Sequence, residues 1–200
     1  SFTYPGTDRE VLSEINFTLE PGNVVALVGA NGSGKTSLIK LLTRLYDPTK
    51  GEILMDGTDI RTLHPDSYRR HFSVVFQDFA CYADSVVNNI RFGDIDLTKD
   101  SPSIQAAAER AQADQMIQAL PQGYETMLSR MFQGGVDLSR GQWQKIALAR
   151  AFVERAQIVV LDEPSSALDP NAEAELFDDF KAGLNGRSAL LIAHRLSTLR

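Results

Sequence analysis

A single cysteine, Cys81, stands in 200 residues. That excludes an intramolecular disulfide and fits a reducing compartment. No apolar run approaches the ~18 residues that a membrane-spanning helix requires. Ser1-Phe2-Thr3-Tyr4-Pro5-Gly6 has neither the basic start nor the apolar stretch of a secretory leader. Positive charge is not in excess: 20 Lys and Arg face 26 Asp and Glu, a formal net charge of −6. This balance argues against a surface that coats nucleic acid, and no nucleic-acid partner is expected. Internal repeats and low-complexity tracts are absent. Histidine is scarce, and His64 and His71 lie in polar surroundings that read as surface. Against these absences stands a 43% hydrophobic content, enough to bury a full core in one domain. The chain starts without Met, in what reads as mid-strand, and stops at Arg200 inside a helical pattern. We expect a domain cut from a longer protein.

The most informative stretch runs from Val24 to Ser37. Val24-Val25-Ala26-Leu27-Val28 is an apolar strand, and Gly29-Ala30-Asn31-Gly32-Ser33-Gly34-Lys35-Thr36-Ser37 fills the phosphate-loop pattern G-x-x-x-x-G-K-[ST]. Glycines let successive backbone N–H groups turn toward phosphate oxygens, and the N-terminus of the following helix adds its positive end. Lys35 then reaches the β- and γ-phosphates, and the Thr36 hydroxyl is placed to ligate Mg²⁺. The pattern predicts binding of a nucleoside triphosphate.

Around this loop the expected elements fall in a clear order. Phe2-Thr3-Tyr4 and Ile15-Asn16-Phe17-Thr18-Leu19 read as half-exposed strands, set off by Pro5-Gly6 and Pro21-Gly22. Val24 to Val28 reads as a strand covered on both faces. Glu52 to Gly57 forms a short strand and turn, and Phe72 to Phe76 a buried strand ending at Gln77. From Asp78 to about Val153 the texture turns helical, at Ser103 to Ala113, Gln115 to Leu120 and Gln142 to Phe152. Strands return at Ile158 to Leu161 and Ala189 to Ala193, with a helix from Pro170 to Leu184 between them. The expected fold class is α/β: a P-loop NTPase core with a mainly parallel sheet, an N-terminal antiparallel β subdomain and a helical insertion. We expect one domain over 1–200, with its core in 1–77 and 154–200 and the helical subdomain in 78–153.

A second constellation follows. Ile158-Val159-Val160-Leu161-Asp162-Glu163 is an apolar strand ending in two acids, the Walker B pattern. Ligands of open α/β sheets bind at the carboxyl ends of strands, so Asp162 is expected beside the Mg²⁺ of the phosphate loop. Glu163 could accept a hydrogen bond from an attacking water as general base; its plain alternative is a solvated acid before Pro164. His194, taken alone, reads as a structural residue more readily than a catalytic one. What raises its standing is convergence. Lys35, Gln77, Asp162, Glu163 and His194 each sit just past a predicted strand, and those ends would share one sheet edge.

With these residues in view the chain resembles the ATP-binding cassette (ABC) ATPases. Leu138-Ser139-Arg140-Gly141-Gln142 is similar to that family's signature, Leu-Ser-Gly-Gly-Gln, ahead of Walker B. Gln77 matches its Gln loop, Ser166-Ala167-Leu168-Asp169 its D-loop, and His194 its switch histidine. Tyr4 matches the aromatic residue that stacks on adenine, a role that suits a π face. The resemblance implies that Tyr4, Gly29, Asn31, Gly32, Ser33, Gly34, Lys35, Thr36, Ser37, Gln77, Ser139, Gly141, Gln142 and Asp169 contact ATP. It implies Thr36, Gln77 and Asp162 at Mg²⁺, with Glu163, His194 and Lys35 in catalysis. Arg140 departs from the family by replacing the first signature glycine. Ser129-Arg130-Met131-Phe132-Gln133-Gly134 stands where many exporters carry Gly-Glu-Arg-Gly against the membrane domain, so that contact is not carried over.

Stretches such as Gly51 to Gly57 and Val75 to Asp78 look most like exporter-type cassettes, and Gly135 to Ser139 with Gln142 to Lys145 like bacterial exporters of peptides and related compounds. The resemblance implies ATP hydrolysis that powers transport, with two cassettes closing head to tail around two Mg-ATP. It implies as partners a second, identical or different nucleotide-binding domain and a transmembrane domain upstream on the same polypeptide. The location implied is the cytoplasmic face of the cell membrane. A stand-alone importer subunit is the nearest alternative. A chromosome-organising ATPase would need a long coiled coil between Lys35 and Ser139, for which there is no room.

Overall fold

The computed structural model describes residues 1–30, 32–153, 156–162, 177–178 and 180–193. Its centre is a four-stranded, wholly parallel sheet built from β3 (Val24–Val28), β6 (Phe72–Val75), β7 (Ile158–Asp162) and β8 (Ser188–Ala193). The order is β3-β8-β7-β6. Pairing brings Val28 opposite Ala193, Asp162 opposite Ile192 and Val75 opposite Leu161. All four carboxyl ends therefore lie along one edge, as the positions of Lys35, Gln77 and Asp162 after strands require.

Period-two alternation divides the side chains of this sheet between two layers. Val159 and Leu161 of β7, with Ala189, Leu191 and Ala193 of β8, face a large helical layer. That layer comprises α3 (Val86–Arg91), α4 (Pro102–Arg110), α5 (Asp114–Gln118) and α6 (Arg140–Val153), together with the helical residues Phe177, Phe180 and Leu184. Val160, Leu190 and Ile192 face the other way, onto Ile39 of α1 (Lys35–Leu42). Ile39 is fully buried, and such a side chain contributes roughly 1.5–3 kcal/mol by leaving water. Asp162 has the parity of Val160, so it emerges on the α1 side. The alternation that makes the core thus also aims the carboxylate.

Two small antiparallel pairs flank this core. β1 (Phe2–Thr3) pairs with β2 (Glu10–Leu12), and β4 (Leu54–Met55) with β5 (Thr58–Asp59). Phe2, Leu12, Leu38 and Leu41 form a separate apolar cluster that seats the first pair on α1. A short helix α2 (Pro65–Arg69) precedes β6, where Tyr68 is buried with its hydroxyl donating to the Leu42 carbonyl.

Two sequence expectations are corrected here. Ile15 to Leu19 is not a strand; the partner of β1 is Glu10–Leu12 instead. Alternation in 15–19 implies one buried face, yet Ile15 and Phe17 are both largely exposed. β3 is covered on both faces only through its middle, with Val25 and Leu27 packed on the α1 side and Ala26 on the helical side, while Val24 and Val28 are exposed. Among the described strands it closes one edge of the sheet. A continuous apolar run records which residue types are tolerated, whereas edge or centre is set by the order of strands. Among the described residues no helix is long and apolar enough to cross a membrane. Of the expected helix from Pro170 to Leu184, residues 177–178 and 180–184 are described and helical, and the remainder lies outside the described residues.

Candidate nucleotide site

The phosphate loop joins β3 to α1 and is shaped by Gly34. Gly34 caps α1 with φ +92°, a left-handed conformation. A Cβ there would stand 2.6 Å from Leu12 Cδ2 and 3.0 Å from the Val11 carbonyl. Both the backbone angle and the close seat on β2 therefore demand glycine. Lys35 Nζ donates to the carbonyls of Gly29 (2.7 Å) and Ala30 (3.0 Å), which holds the cation over the loop. Ser33 N–H closes the turn onto the Ala30 carbonyl, and Ser33 Oγ lies against Gly29. Gly32 is exposed at φ +77°. Asn31 lies outside the described residues.

Thr36, in the first turn of α1, donates its hydroxyl to Asp162 Oδ2 at 3.2 Å. Asp162 is only 3% exposed although it ends a strand. The pair offers two hard oxygen donors from two elements, at the mouth of a loop whose N–H groups suit phosphate. Among the described residues no cluster of three or more His, Cys, Asp or Glu stands ready to hold a metal. A donor set with a single carboxylate fits Mg²⁺, which takes one or two carboxylates and completes its shell with water and phosphate oxygens.

Tyr4 follows β1 and lies beside the same helix. Its hydroxyl shares a 2.9 Å hydrogen bond with Ser37 Oγ, and Lys40 Nζ stands 5.5 Å from its ring centre. Phe2 and Tyr46 meet the ring edge-on at 4.8 and 5.2 Å. The aromatic residue and the loop are thus tied through α1. Ser37 itself is buried with its hydroxyl engaged by Tyr4, so its side chain serves the scaffold.

The signature stretch opens α6. Ser139 N–H donates to Gln142 Oε1 (2.8 Å), and Gln142 N–H donates back to Ser139 Oγ (3.3 Å). This is a reciprocal capping box, which satisfies two orphan donors at a helix start. The Ser-x-x-Gln spacing carries this box, whereas the family resemblance implies ATP contact for both residues. Ser139 and Gly141 are exposed, and a Cβ on Gly141 would meet nothing within 4 Å. Nothing among the described residues of this chain requires that glycine.

Gln77, two residues beyond β6, is exposed and lines a cleft with Asp78, Phe79 and Cys81 on one wall. Leu138, Arg140 and Trp143 form the other wall. Arg140, the departure from the signature consensus, therefore borders this cleft. Burial pushes the Cys81 thiol above its ordinary pKa. Glu163, Asp169 and His194 lie outside the described residues.

The family profile described as "ABC transporter" matches residues 12–166. The chain is 43% identical over 199 residues to an ATP-dependent lipid A-core flippase of Aromatoleum aromaticum, covering all of this chain and 32% of that protein. It is likewise 43% identical over 196 residues to the subtilin transport ATP-binding protein SpaT of Bacillus subtilis, covering 98% of this chain and 32% of that one. Among solved structures, a bacterial Atm1-family ABC exporter with ATP bound superposes with a TM-score of 0.86 at 37% identity. That match covers 99% of this chain and 34% of the exporter. The chain thus spans about a third of the length of the curated relatives it matches.

Proposed function

This chain belongs to the ABC transporter family, and on that premise we propose that it is the ATP-hydrolysing domain of an exporter. The observation that carries the reading is the Thr36–Asp162 hydrogen bond, which joins the phosphate loop to the strand-end carboxylate. In this reading Lys35 and the loop N–H groups hold the β- and γ-phosphates, and Tyr4 stacks on the adenine. Thr36, Gln77 and Asp162 would hold Mg²⁺, which when bound neutralises charge on the phosphate oxygens. Glu163 orients and deprotonates the attacking water, and His194 contacts the γ-phosphate.

Ser139 and Gly141 act in trans, against the γ-phosphate held by a second cassette. The exposed start of α6, with open space beside Gly141, supports this. Each of two sites is then shared, and hydrolysis removes the charge that bridges the two domains. A transmembrane domain on the same polypeptide is the partner for which relatives three times as long give room. Such a protein places this domain on the cytoplasmic face of the membrane.

The test is the ATPase rate against protein concentration. Shared sites predict a rise steeper than linear until the pair saturates. Strictly linear activity across a wide dilution range would remove the second cassette from the mechanism. In Glu163→Gln, ATP binding is expected to persist and the pair to accumulate; a monomeric variant with undiminished turnover would remove Glu163.

A further inference from the structure

The helix that opens at Ser139 carries, about three turns on, an arginine with an unusual set of partners. Arg150 Nε donates to the Asn89 carbonyl (2.8 Å), Nη2 to Asn89 Oδ1 (3.2 Å) and Nη1 to the Ala80 carbonyl (3.0 Å). Its guanidinium also lies over the Tyr82 ring, 4.8 Å from the centroid. All of these partners are neutral, so geometry rather than ion pairing explains the residue. One planar fork with donors in fixed directions serves two separate chain segments, which a lysine ammonium cannot reproduce.

Asn89 completes the knot. It is fully buried. Its amide donates to the carbonyls of Tyr82, Asp84 and Ser85, and its oxygen accepts from Tyr82 N–H as well as from Arg150. The packing of α3 on α6 does not itself need Arg150. Val86, Val87 and Ile90 are buried with Ile146 and Ala147 in one core, and Gly93 lies so close that a Cβ would stand 2.0 Å from the Arg150 carbonyl. The segment from Ala80 to Tyr82 is exposed. Tyr82 is tied to α3 by its two backbone hydrogen bonds with Asn89 and meets Phe92 edge-on at 4.9 Å, while the Arg150 contacts tie the segment to α6. That segment continues from Gln77 and forms one wall of the cleft whose other wall is the start of α6.

We propose that Arg150 is a positioning residue that locks the segment after Gln77 to α6, so that a displacement of that segment carries Ser139 and Gly141 with it. The inference rests on the proposed function for the meaning of that motion, though not for the clamp itself. What seats against residues 77–82 is thereby read out at the signature end of α6, without altering the phosphate loop on the far side of the sheet.

Arg150→Lys in the full-length protein, reconstituted in liposomes, tests this with two readouts. The expected kinetic result is kcat lower by about tenfold or more, with KM and the Kd for a fluorescent ATP analogue within about twofold of wild type. The expected hydrogen-exchange result is an amide of Tyr82 exchanging about tenfold faster, while amides of α3 keep their protection. Unchanged kcat overturns the proposal. So does a loss of ATP affinity in step with kcat, or exchange that accelerates through α3 as well, since either marks general loosening. A wild-type protein that hydrolyses no ATP overturns the proposed function instead, and hydrogen exchange still decides the clamp.

Discussion

Thr36 and Asp162 are separated by 126 positions in the chain, yet the hydroxyl of one donates to the carboxylate of the other at 3.2 Å. Their meeting follows from two periodicities. Strand alternation turns Asp162 to the α1 side with Val160, and α1 starts where Gly34 lets the chain turn, which places Thr36 in its first turn. Neither residue is a site alone.

The pair predicts that Mg²⁺ tightens nucleotide binding only while Asp162 is a carboxylate. Asp162→Asn is expected to leave metal-free ATP affinity within about twofold and to abolish the gain on adding Mg²⁺. Titration of a fluorescent ATP analogue with and without Mg²⁺ measures this. A full gain in the variant would take Asp162 out of the metal site.

Tyr4 has two separable roles. Tyr4→Phe keeps a π face and loses only the bond to Ser37, at a stability cost of about 1 kcal/mol. Tyr4→Leu removes the stacking surface and is expected to weaken ATP several-fold. Equal affinity in Tyr4→Leu and wild type would return Tyr4 to the aromatic cluster with Phe2 and Tyr46.

Gly34→Ala places a Cβ 2.6 Å from Leu12 in a left-handed backbone. We expect a loss of about 2 kcal/mol or more, together with lost nucleotide binding. Denaturant unfolding measures the first and equilibrium titration the second. A variant with wild-type stability would contradict the close seat of the loop on β2.

The capping box and the neighbouring glycine predict opposite patterns. Gln142→Ala removes one arm of the box and should cost about 1 kcal/mol of stability. Gly141→Ala fills open space in a helix, so its melting temperature should hold or rise. Its concentration-dependent ATPase should nevertheless fall, because in the proposed pair the added methyl would face the second cassette. Thermal melts and a dilution series on the two variants separate these effects.

Burial raises the Tyr68 hydroxyl to about 12. A raised pKa makes the folded state favour the protonated form. Stability from this group is therefore complete below the unfolded value near 10, and is lost as pH climbs from about 10 to about 12. The expected slope is up to about 1.4 kcal/mol per pH unit in that window. Tyr124 shifts in the same direction, through its burial and the Asp114 carboxylate beside it. Urea unfolding at several alkaline pH values should show the decline, reduced but not abolished in Tyr68→Phe.

Motifs with a fixed local chemistry were legible before any coordinates. Gly34-Lys35-Thr36 needs a strand before it and a helix after it, and β3 and α1 supply both. Helices α4, α5 and α6 showed their spacing in the same way, whereas α3 (Val86–Arg91) was not among the expected segments. Ile15 to Leu19 misled because alternation states which side chains could share a face, and pairing depends on a partner from elsewhere in the chain. The capping role of Ser139 and Gln142 lies in their spacing, a signal separate from the family's use of these residues at the nucleotide.

The sequence by itself determined the nucleotide chemistry, since phosphate binding needs glycine, lysine and threonine at fixed intervals along a single turn. It also determined the parallel α/β layering, through apolar strands separated by helical spacing. The sequence also put Asp162 beside the phosphate loop, and tertiary structure alone decided that β3 closes one edge of the described sheet and that Arg150 binds the chain after Gln77 to the signature helix. Those relationships join residues far apart in the chain, and hydrogen bonds between distant segments depend on packing, which no local pattern encodes.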